Sequence, residues 1–160
     1  MNPTSSSVVV NYFDSSALVK RYFVETGSAW IQALCAEAGQ MIVLAEVGLV
    51  EITAAMAGKL RGGHISASQF RALRSYIDAD IKHDYALVSI NRSIVNDAMD
   101  LTVRHRLRGY DAVHLACALY LQRSLTGHQL APLIFISADK DLLHAALAEG
   151  LLVDDPNQHP

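Results

Sequence analysis

Four acidic residues stand where an apolar segment stops or where a helix is expected to start. They are Asp14, Glu51, Asp111 and Asp139. Carboxylate oxygens without His or Cys partners suit a hard cation such as Mg²⁺ or Mn²⁺ better than they suit zinc. A cation held in this way can deprotonate a water molecule and stabilise charge on a phosphodiester. The four acids therefore predict a metal-dependent site that cleaves phosphodiesters, if the fold brings them together.

Three of these acids also have a purely structural explanation. Asp14, Asp111 and Asp139 each stand at the start of a predicted helix, where Asp commonly caps the free backbone N–H groups. Asp141 follows Asp139 in the first turn of the same helix, where it would support a metal ion through water or merely favour the helix dipole. At each single position both interpretations stay open, and only the set of four favours a site.

Glu51 is the acid that is hardest to explain without a function. It is the single charge in the stretch VGLVEITAAMA, which has the pattern of a mostly buried helix. An ionised carboxylate in such surroundings needs a proton, a partner or a metal, unless its side chain turns to solvent. Glu46 lies in the first helical turn, where the dipole favours an acid, and it faces another direction. We therefore assign Glu51 to the site and leave Glu46 out.

One basic strip, RHRLRG, precedes the third acid, Asp111. Its arginines, Arg104, Arg106 and Arg108, are candidates to contact the phosphates of RNA, although a solvated helix end explains them equally well. His114 falls on the same helix face as Asp111. Because it stands among Ala, Leu and Cys, a core position is favoured over a ligand role.

Apolar periodicity predicts strands that alternate with helices. Strands are expected at 8–13, 41–44, 86–90, 133–137 and 151–153, and helices at 17–23, 28–38, 45–60, 65–81, 92–105, from 111 and from 142 to 150. This alternation is typical of an α/β fold with a mostly parallel sheet, whose carboxyl edge binds ligands. The polar tail DDPNQHP is expected to fray.

Composition limits the class of protein. With 160 residues, 51% apolar and 18% charged, the chain is expected to form one globular domain over 1–160. No apolar run approaches the ~20 residues that span a bilayer, and no signal-like start is present, so a cytoplasmic protein is expected. Cys35 and Cys117 then read as reduced, buried thiols. The net charge of −3 argues against broad electrostatic capture of nucleic acid, but not against a nuclease.

Four stretches together resemble a known family. FDSSALVKRY, VEITAA, LRGYDAVHLACAL and FISADKDLLHAA are similar, in this order, to the four acidic motifs of PIN-domain ribonucleases, and most of all to the VapC-type toxins of bacterial toxin–antitoxin pairs. The resemblance runs from residue 8 to about 156, the expected ordered core. It implies a three-layer α/β/α PIN-like fold with four to five strands, an endoribonuclease that uses Mg²⁺ or Mn²⁺, a homodimer and an inhibitory antitoxin.

The resemblance also assigns roles to residues. It makes Asp14, Glu51, Asp111 and Asp139 the catalytic and metal-binding acids, with Asp141 a less uniform metal ligand. In this assignment Glu51 completes the metal cage or orients the attacking water. Two supporting hydroxyls are expected: Ser16 would hold a neighbouring carboxylate or a phosphate, and Ser137 stands where the family often has Thr.

Other classes of protein place acids at strand ends as well. A receiver-like phosphoacceptor domain would need an acidic pair near the first strand, and a haloacid-dehalogenase-like phosphatase would need Asp-x-Asp. This chain has Asp14 followed by two serines. A binding domain without catalysis is disfavoured by Glu51. The helices expected at 45–60 and 65–81 would form a projecting pair that supplies dimer or antitoxin contacts.

Overall fold

In the computed structural model, which describes residues 8–159, strands and helices alternate along the chain. The strands are β1 (Val9–Phe13), β2 (Gln40–Ala45), β3 (Tyr85–Val88), β4 (Ile134–Ile136) and β5 (Leu152–Asp154). The α-helices are α1 (Ser15–Leu18), α2 (Ser28–Ala36), α3 (Glu46–Arg61), α4 (Ala67–His83), α5 (Arg92–Arg104), α6 (Gly109–Gly127) and α7 (Lys140–Ala148). Short 3₁₀ turns lie at Val19–Arg21 and Pro156–Gln158.

The five strands form one parallel sheet in the order β3-β2-β1-β4-β5. β1 lies in the centre, which explains why all its residues but Asn11 are apolar or aromatic: a strand covered by helices on both faces needs apolar side chains in both directions. Since every strand runs the same way, all five carboxyl ends meet at one edge of the sheet. Asp14 follows β1 at this edge, and Asp139 follows β4 there.

Successive side chains of the central strands pack into two separate cores. Tyr12 and Phe135 lie in a core with α5, α6 and α7. Their neighbours Phe13 and Ile136 lie in a second core with α1, α2, α3 and α4. Alternate residues of a strand point to opposite faces, so the sheet separates two helical layers. This confirms the three-layer α/β/α fold and the mostly parallel sheet that the sequence predicts.

Several element boundaries differ from the sequence prediction by a few residues, and two of these differences concern the segment after β1 and the strand β3. The helix expected over 17–23 is a short α-helix followed by a 3₁₀ turn. The Ser28 hydroxyl holds the bend that follows: it donates to the Phe23 carbonyl at 2.6 Å and accepts from the Glu25 N–H at 2.7 Å. The strand expected over 86–90 ends at Val88, since its pairing partner is Ala45, the last residue of β2.

The predicted fraying of the tail is wrong for residues 154–159. Pro156 is buried, and its carbonyl lies against Gly27, where an added Cβ would stand 2.2 Å from the oxygen. His159 stacks on Trp30 with ring centroids 4.1 Å apart, and its Nε2 lies 2.8 Å from Asp154. A polar composition indicates exposure, but it does not reveal that one proline and one aromatic stack can dock a segment.

Two further expectations concern cysteine and membranes. Both Cys35 and Cys117 are free thiols; Cys117 is buried, whereas Cys35 is only partly so. Over residues 8–159, no helix combines the length and the apolar character that a membrane crossing needs.

Candidate active site

The four predicted acids line one pocket of about 300 Å³ at the carboxyl edge of the sheet. Four separate segments deliver them: the end of β1, the second turn of α3, the first turn of α6 and the residue before α7. The other lining residues are Ser15, Ser16, Val19, Ile52, Ala55, Arg108 and Tyr110. Residues far apart in the sequence therefore share one surface, as the parallel topology requires.

Asp14 is the most enclosed of the acids, with only 4% of its surface exposed. Ser16 donates to both carboxylate oxygens at 2.8 Å, Ser137 donates to Oδ2 at 3.0 Å, and the Ala17 N–H donates to Oδ1 at 3.0 Å. The last of these bonds makes Asp14 the N-cap of α1. Burial raises the pKa of the Asp14 carboxyl above its ordinary value, although the charge of His114 and these hydrogen bonds act against it.

The two supporting serines connect β1 to β4. Ser16 Oγ accepts the Ala138 N–H at 3.0 Å, and Ser137 Oγ accepts the Asp139 N–H at 3.0 Å. Each hydroxyl therefore holds Asp14 and the segment that carries Asp139 at the same time. The role expected for Ser16, holding a neighbouring carboxylate, is the one that it performs here.

Asp139 is an N-cap and a pocket residue at once. Its Oδ1 accepts the N–H groups of Asp141 and Leu142 at 2.9 and 3.2 Å, as a cap of α7 does. Its Oδ2 lies 3.4 Å from an Arg108 nitrogen. One oxygen serves the helix while the other faces the pocket, so the two interpretations of Asp139 do not exclude each other.

Asp111 does not cap its helix, contrary to the structural alternative from the sequence. α6 begins two residues earlier, at Gly109, and the capping position is that of Arg108, whose side chain makes no capping bond. Asp111 lies in the first turn, where the helix dipole favours an acid. Its Oδ2 accepts a hydrogen bond from Arg108 Nε at 3.1 Å.

Glu51 reaches the pocket from α3, and the His114 side chain contacts its carboxylate. His114 Nε2 lies 2.5 Å from Glu51 Oε2, and its Nδ1 lies 3.3 Å from the Tyr12 hydroxyl. Partial burial alone would raise the pKa of Glu51, but the hydrogen bond and charge of His114 lower it below its ordinary value. His114 is a core residue, as the sequence favours, yet sequence reasoning missed that it touches a pocket acid. Its position three residues after Asp111 was the available signal.

The three arginines of the basic strip point to different places. Arg108 covers the pocket mouth between Asp111 and Asp139, with 82% of its side chain exposed, and these acids raise its pKa. Arg106 lines a neighbouring depression that also contains Asp141. Arg108, Asp111 and Asp139 line this depression as well. Arg104 pairs with Glu149 and does not line the acidic pocket. The structure therefore brings Arg108 into the four-acid pocket and places Arg106 and Asp141 in a depression that shares Asp111 and Asp139 with it, whereas Arg104 lines neither.

The pocket suits a hard cation by the chemistry and charge of its lining. Four carboxylates face it and Arg108 is the one basic residue in its lining, so its surroundings are strongly negative when the acids are ionised. Among residues 8–159, however, no three His, Cys, Asp or Glu side chains stand in an arrangement that could hold a metal ion as it is. The acids bond to serines, His114 and Arg108 instead. Oxygen donors thus converge on the pocket without forming a finished ligand shell.

Fold and pocket together define the class: a PIN-like α/β/α domain with an acidic pocket at the carboxyl edge of a parallel sheet. A comparison with protein-family profiles finds no match. Two curated proteins of Mycobacterium tuberculosis, Ribonuclease VapC45 of strain CDC 1551 / Oshkosh and Ribonuclease VapC49 of strain ATCC 25618 / H37Rv, are each 32% identical over 115 residues. These residues cover 68% of this chain and 74% of each relative. The chain belongs to the VapC ribonuclease family.

A solved structure shares the fold. A toxin–antitoxin complex from Klebsiella pneumoniae contains a chain that superposes with a TM-score of 0.54 at 19% sequence identity. The match covers 91% of this chain and 97% of the other, so the likeness extends over nearly the whole architecture.

Proposed function

We propose that this protein is a metal-dependent endoribonuclease that acts as the toxin of a toxin–antitoxin pair. The observation that carries the proposal is the convergence of Asp14, Glu51, Asp111 and Asp139, from four distant segments, on one pocket. The ribonuclease names of its relatives support an RNA substrate. The proposal includes a cytoplasmic location, because such a toxin would act on the RNA of its own cell.

The cofactor of this proposal is Mg²⁺ or Mn²⁺. Asp14, Asp111 and Asp139 would hold the ion directly or through water, with Glu51 beside them and Asp141 contributing through water. When bound, such an ion lowers the pKa of a water molecule and neutralises charge on the phosphate. The oxygen-only donor set of the pocket supports this choice over zinc.

The chain's own residues prepare the site for this chemistry. Ser16 and Ser137 fix both oxygens of Asp14, so its carboxylate cannot rotate away. His114 lowers the pKa of Glu51, which favours the ionised carboxylate. An ionised Glu51 would accept a hydrogen bond from the attacking water. Fixed groups of this kind lower the reorganisation that the reaction needs.

Two exposed residues at the pocket support a single-stranded RNA substrate. Arg108 can exchange its carboxylate partners for phosphate oxygens, for which the planar guanidinium is well suited. Tyr110 lines the same pocket and is 61% exposed, so its ring can stack on an unpaired base. Arg106 would extend this contact along the RNA backbone, and Arg104 is the weakest candidate because Glu149 engages it.

A protein partner would bind the apolar surface of α3. Leu49, Val50, Ala54 and Ala57 line a shallow depression there beside Arg74 of α4, and Val50 is 67% exposed. We call this surface the α3–α4 face. Apolar side chains that the chain itself leaves uncovered commonly mark an interface. We assign the α3–α4 face to a homodimer or to the antitoxin.

The two signalling and phosphatase alternatives are not favoured. The relatives carry ribonuclease names, and the residues that follow Asp14 are serines that bond to it. Acetyl phosphate should therefore not phosphorylate the protein, and the protein should not hydrolyse a phosphomonoester.

The test is cleavage of labelled single-stranded RNA by the purified protein with Mg²⁺ or Mn²⁺. Cleavage should stop in excess EDTA and return when metal is restored. Glu51→Gln should lose activity, whereas Glu46→Gln is a matched control on the same helix, since Glu46 is exposed and bonds to Ser89 outside the pocket. Undiminished cleavage in excess chelator, or equal activity of the two variants, would contradict the proposal.

A further inference from the structure

We infer that His114 is a positioning residue that fixes the Glu51 carboxylate through a buried chain of hydrogen bonds from Tyr12. The inference rests on the proposed function, because it assigns Glu51 to the reaction. It adds three residues that do not line the pocket: Tyr12, Gly48 and His114. None of them touches the substrate in this arrangement, and each acts through Glu51.

The hydrogen-bond chain has one consistent direction. The contact of 2.5 Å between His114 Nε2 and Glu51 Oε2 fits a hydrogen bond that the ring N–H donates and the carboxylate accepts. In the tautomer that carries its proton on Nε2, Nδ1 accepts a hydrogen bond from the Tyr12 hydroxyl, which lies 3.3 Å away. His114 is 1% exposed and Tyr12 is fully buried. Since water has little access to the ring, these two partners determine its orientation.

Tyr12 joins this chain to the central strand. Its ring is stacked on Phe135 of β4, with centroids 5.5 Å apart and planes 8° from parallel. Asp14 follows two residues later on the same strand end. β1 therefore positions two pocket acids at once: Asp14 by direct attachment, and Glu51 through Tyr12 and His114.

Gly48 provides the room that the imidazole needs beside α3. A Cβ at this position would stand 3.2 Å from His114 Cε1 and 3.3 Å from Leu44 Cδ1. Gly48 lies three residues before Glu51, so both belong to the same face of the helix. Because Gly48 has no side chain, the His114 ring can lie against α3 and contact Glu51.

A buried histidine that merely satisfies its own polar atoms is the competing explanation. On that view, replacing His114 would change stability and leave the properties of the folded protein unaltered. The positioning role predicts a different result, because the effect of a substitution then depends on which ring nitrogen of His114 the new side chain replaces. Gln can place an N–H near the position of Nε2, whereas the shorter Asn reaches only that of Nδ1.

The experiment compares His114→Gln with His114→Asn, two buried amides that perturb the core in similar ways. RNA cleavage and Mn²⁺ binding, the latter by electron paramagnetic resonance, are measured on the folded fraction. His114→Asn should lower kcat and weaken Mn²⁺ binding by about 10-fold or more, with little change in KM for RNA. His114→Gln should recover most of both losses. Gly48→Ala, which displaces the ring without removing it, should resemble His114→Asn.

Equal losses in the two His114 variants, or wild-type values in both, would overturn the inference while the proposed function stood. A wild type that cleaves no RNA in Mn²⁺ would overturn the proposed function instead. The hydrogen-bond chain has its own readout: ¹⁵N NMR of the metal-free protein should show His114 protonated on Nε2. A ring protonated on Nδ1 alone would refute the chain whatever the activity.

Discussion

At the residue scale, single carboxylates in this pocket serve the backbone and the pocket together. Asp14 caps α1 with one oxygen while both of its oxygens receive serine hydroxyls, and Asp139 caps α7 while its second oxygen faces Arg108. The free N–H groups at a helix N-terminus need a hydrogen-bond acceptor, and a carboxylate can accept several hydrogen bonds at once. The capping bonds of Asp14 and Asp139 therefore also help to orient their carboxylates toward the pocket.

Substitutions of Asp139 should separate these two roles. Asp139→Ala should lower the free energy of unfolding by about 0.5–2 kcal/mol, since the N–H groups of Asp141 and Leu142 lose their acceptor. Asp139→Asn keeps an acceptor oxygen and should unfold nearly as wild type does. Both variants should lose RNA cleavage by about 100-fold or more. Urea unfolding of the metal-free protein and a cleavage assay measure the two effects.

Asp111→Asn provides the control for Asp139 because Asp111 caps no helix. The variant should be no less stable than wild type without metal, since one charge leaves a crowded acidic pocket, and it should also lose cleavage. Variants at both positions that cut RNA normally would show that these acids are structural only.

Tyr110 is the residue that we expect to bind a base. Tyr110→Ala should raise KM for single-stranded RNA about 10-fold with kcat nearly unchanged, because stacking of a base on an aromatic ring contributes ~1–3 kcal/mol. Tyr110→Phe keeps the ring and should retain the wild-type KM. Steady-state kinetics on a short labelled RNA measures this, and a Phe variant as weak as the Ala variant would point to the hydroxyl instead of the ring.

At the scale of elements, an ionic contact ties the end of α5 to the end of α7. Glu149 accepts from Arg104 Nε at 3.1 Å, and His105 Nε2 lies 2.6 Å from the same oxygen. Burial raises the pKa of Glu149, but the hydrogen bonds and charges of His105 and Arg104 together outweigh it, and the net effect lowers this pKa. The contact holds the helix that follows Asp139 against the helix that precedes the basic strip.

This contact predicts a pH dependence of stability. Because the pKa of Glu149 is lower in the folded than in the unfolded state, its contribution is present above the ordinary pKa of 4.5 and is lost as the pH falls through the folded-state value. Glu149→Gln should therefore be less stable at neutral pH, by up to about 1 kcal/mol for so exposed a pair. Below both pKa values the two proteins should unfold alike. Urea unfolding at several pH values tests this, and a difference that persists in acid would contradict it.

The docked tail is a second contact between elements. His159→Ala removes the stack on Trp30 and the contact with Asp154, and should lower the free energy of unfolding by about 0.5–1.5 kcal/mol. His83→Ala, at an exposed position near the end of α4, is the control and should change stability little. Thermal unfolding of the two variants makes the comparison. Equal melting temperatures would mean that the tail does not stabilise the domain.

The sequence predicts the architecture well because its signals are local. Alternating apolar strands and helices indicate a parallel sheet, and that topology alone sends Asp14 and Asp139 to one edge. The remaining features depend on contacts between distant segments. Nothing near Glu51 in the sequence reveals that His114 reaches it, and nothing in the tail reveals that Trp30 receives His159. The assignment of the four acids as catalytic residues stays a prediction until their variants are assayed.

At the scale of the whole molecule, the α3–α4 face is the surface where we expect a second chain. Val50→Glu places a charge in this face and should convert a homodimer at high micromolar concentration into a monomer. Val103→Glu is the control, since Val103 is 86% exposed on α5. Sedimentation velocity distinguishes the two states. A wild type that is monomeric at that concentration would exclude the homodimer and leave the face to the antitoxin.

The strand order of the sheet also determines when the pocket can form while the chain is being synthesised. β1 lies between β2 and β4, and the Asp14 N–H donates to the Ile136 carbonyl at 3.1 Å. The first acid leaves the ribosome early, but its neighbouring strand and Asp139 are translated more than a hundred residues later. A growing chain can form β1, β2 and β3 without having assembled the pocket. Because contacts of such sequence separation form slowly, we expect a nascent chain that carries Asp14 and Glu51 to lack the complete acidic pocket until β4 is in place.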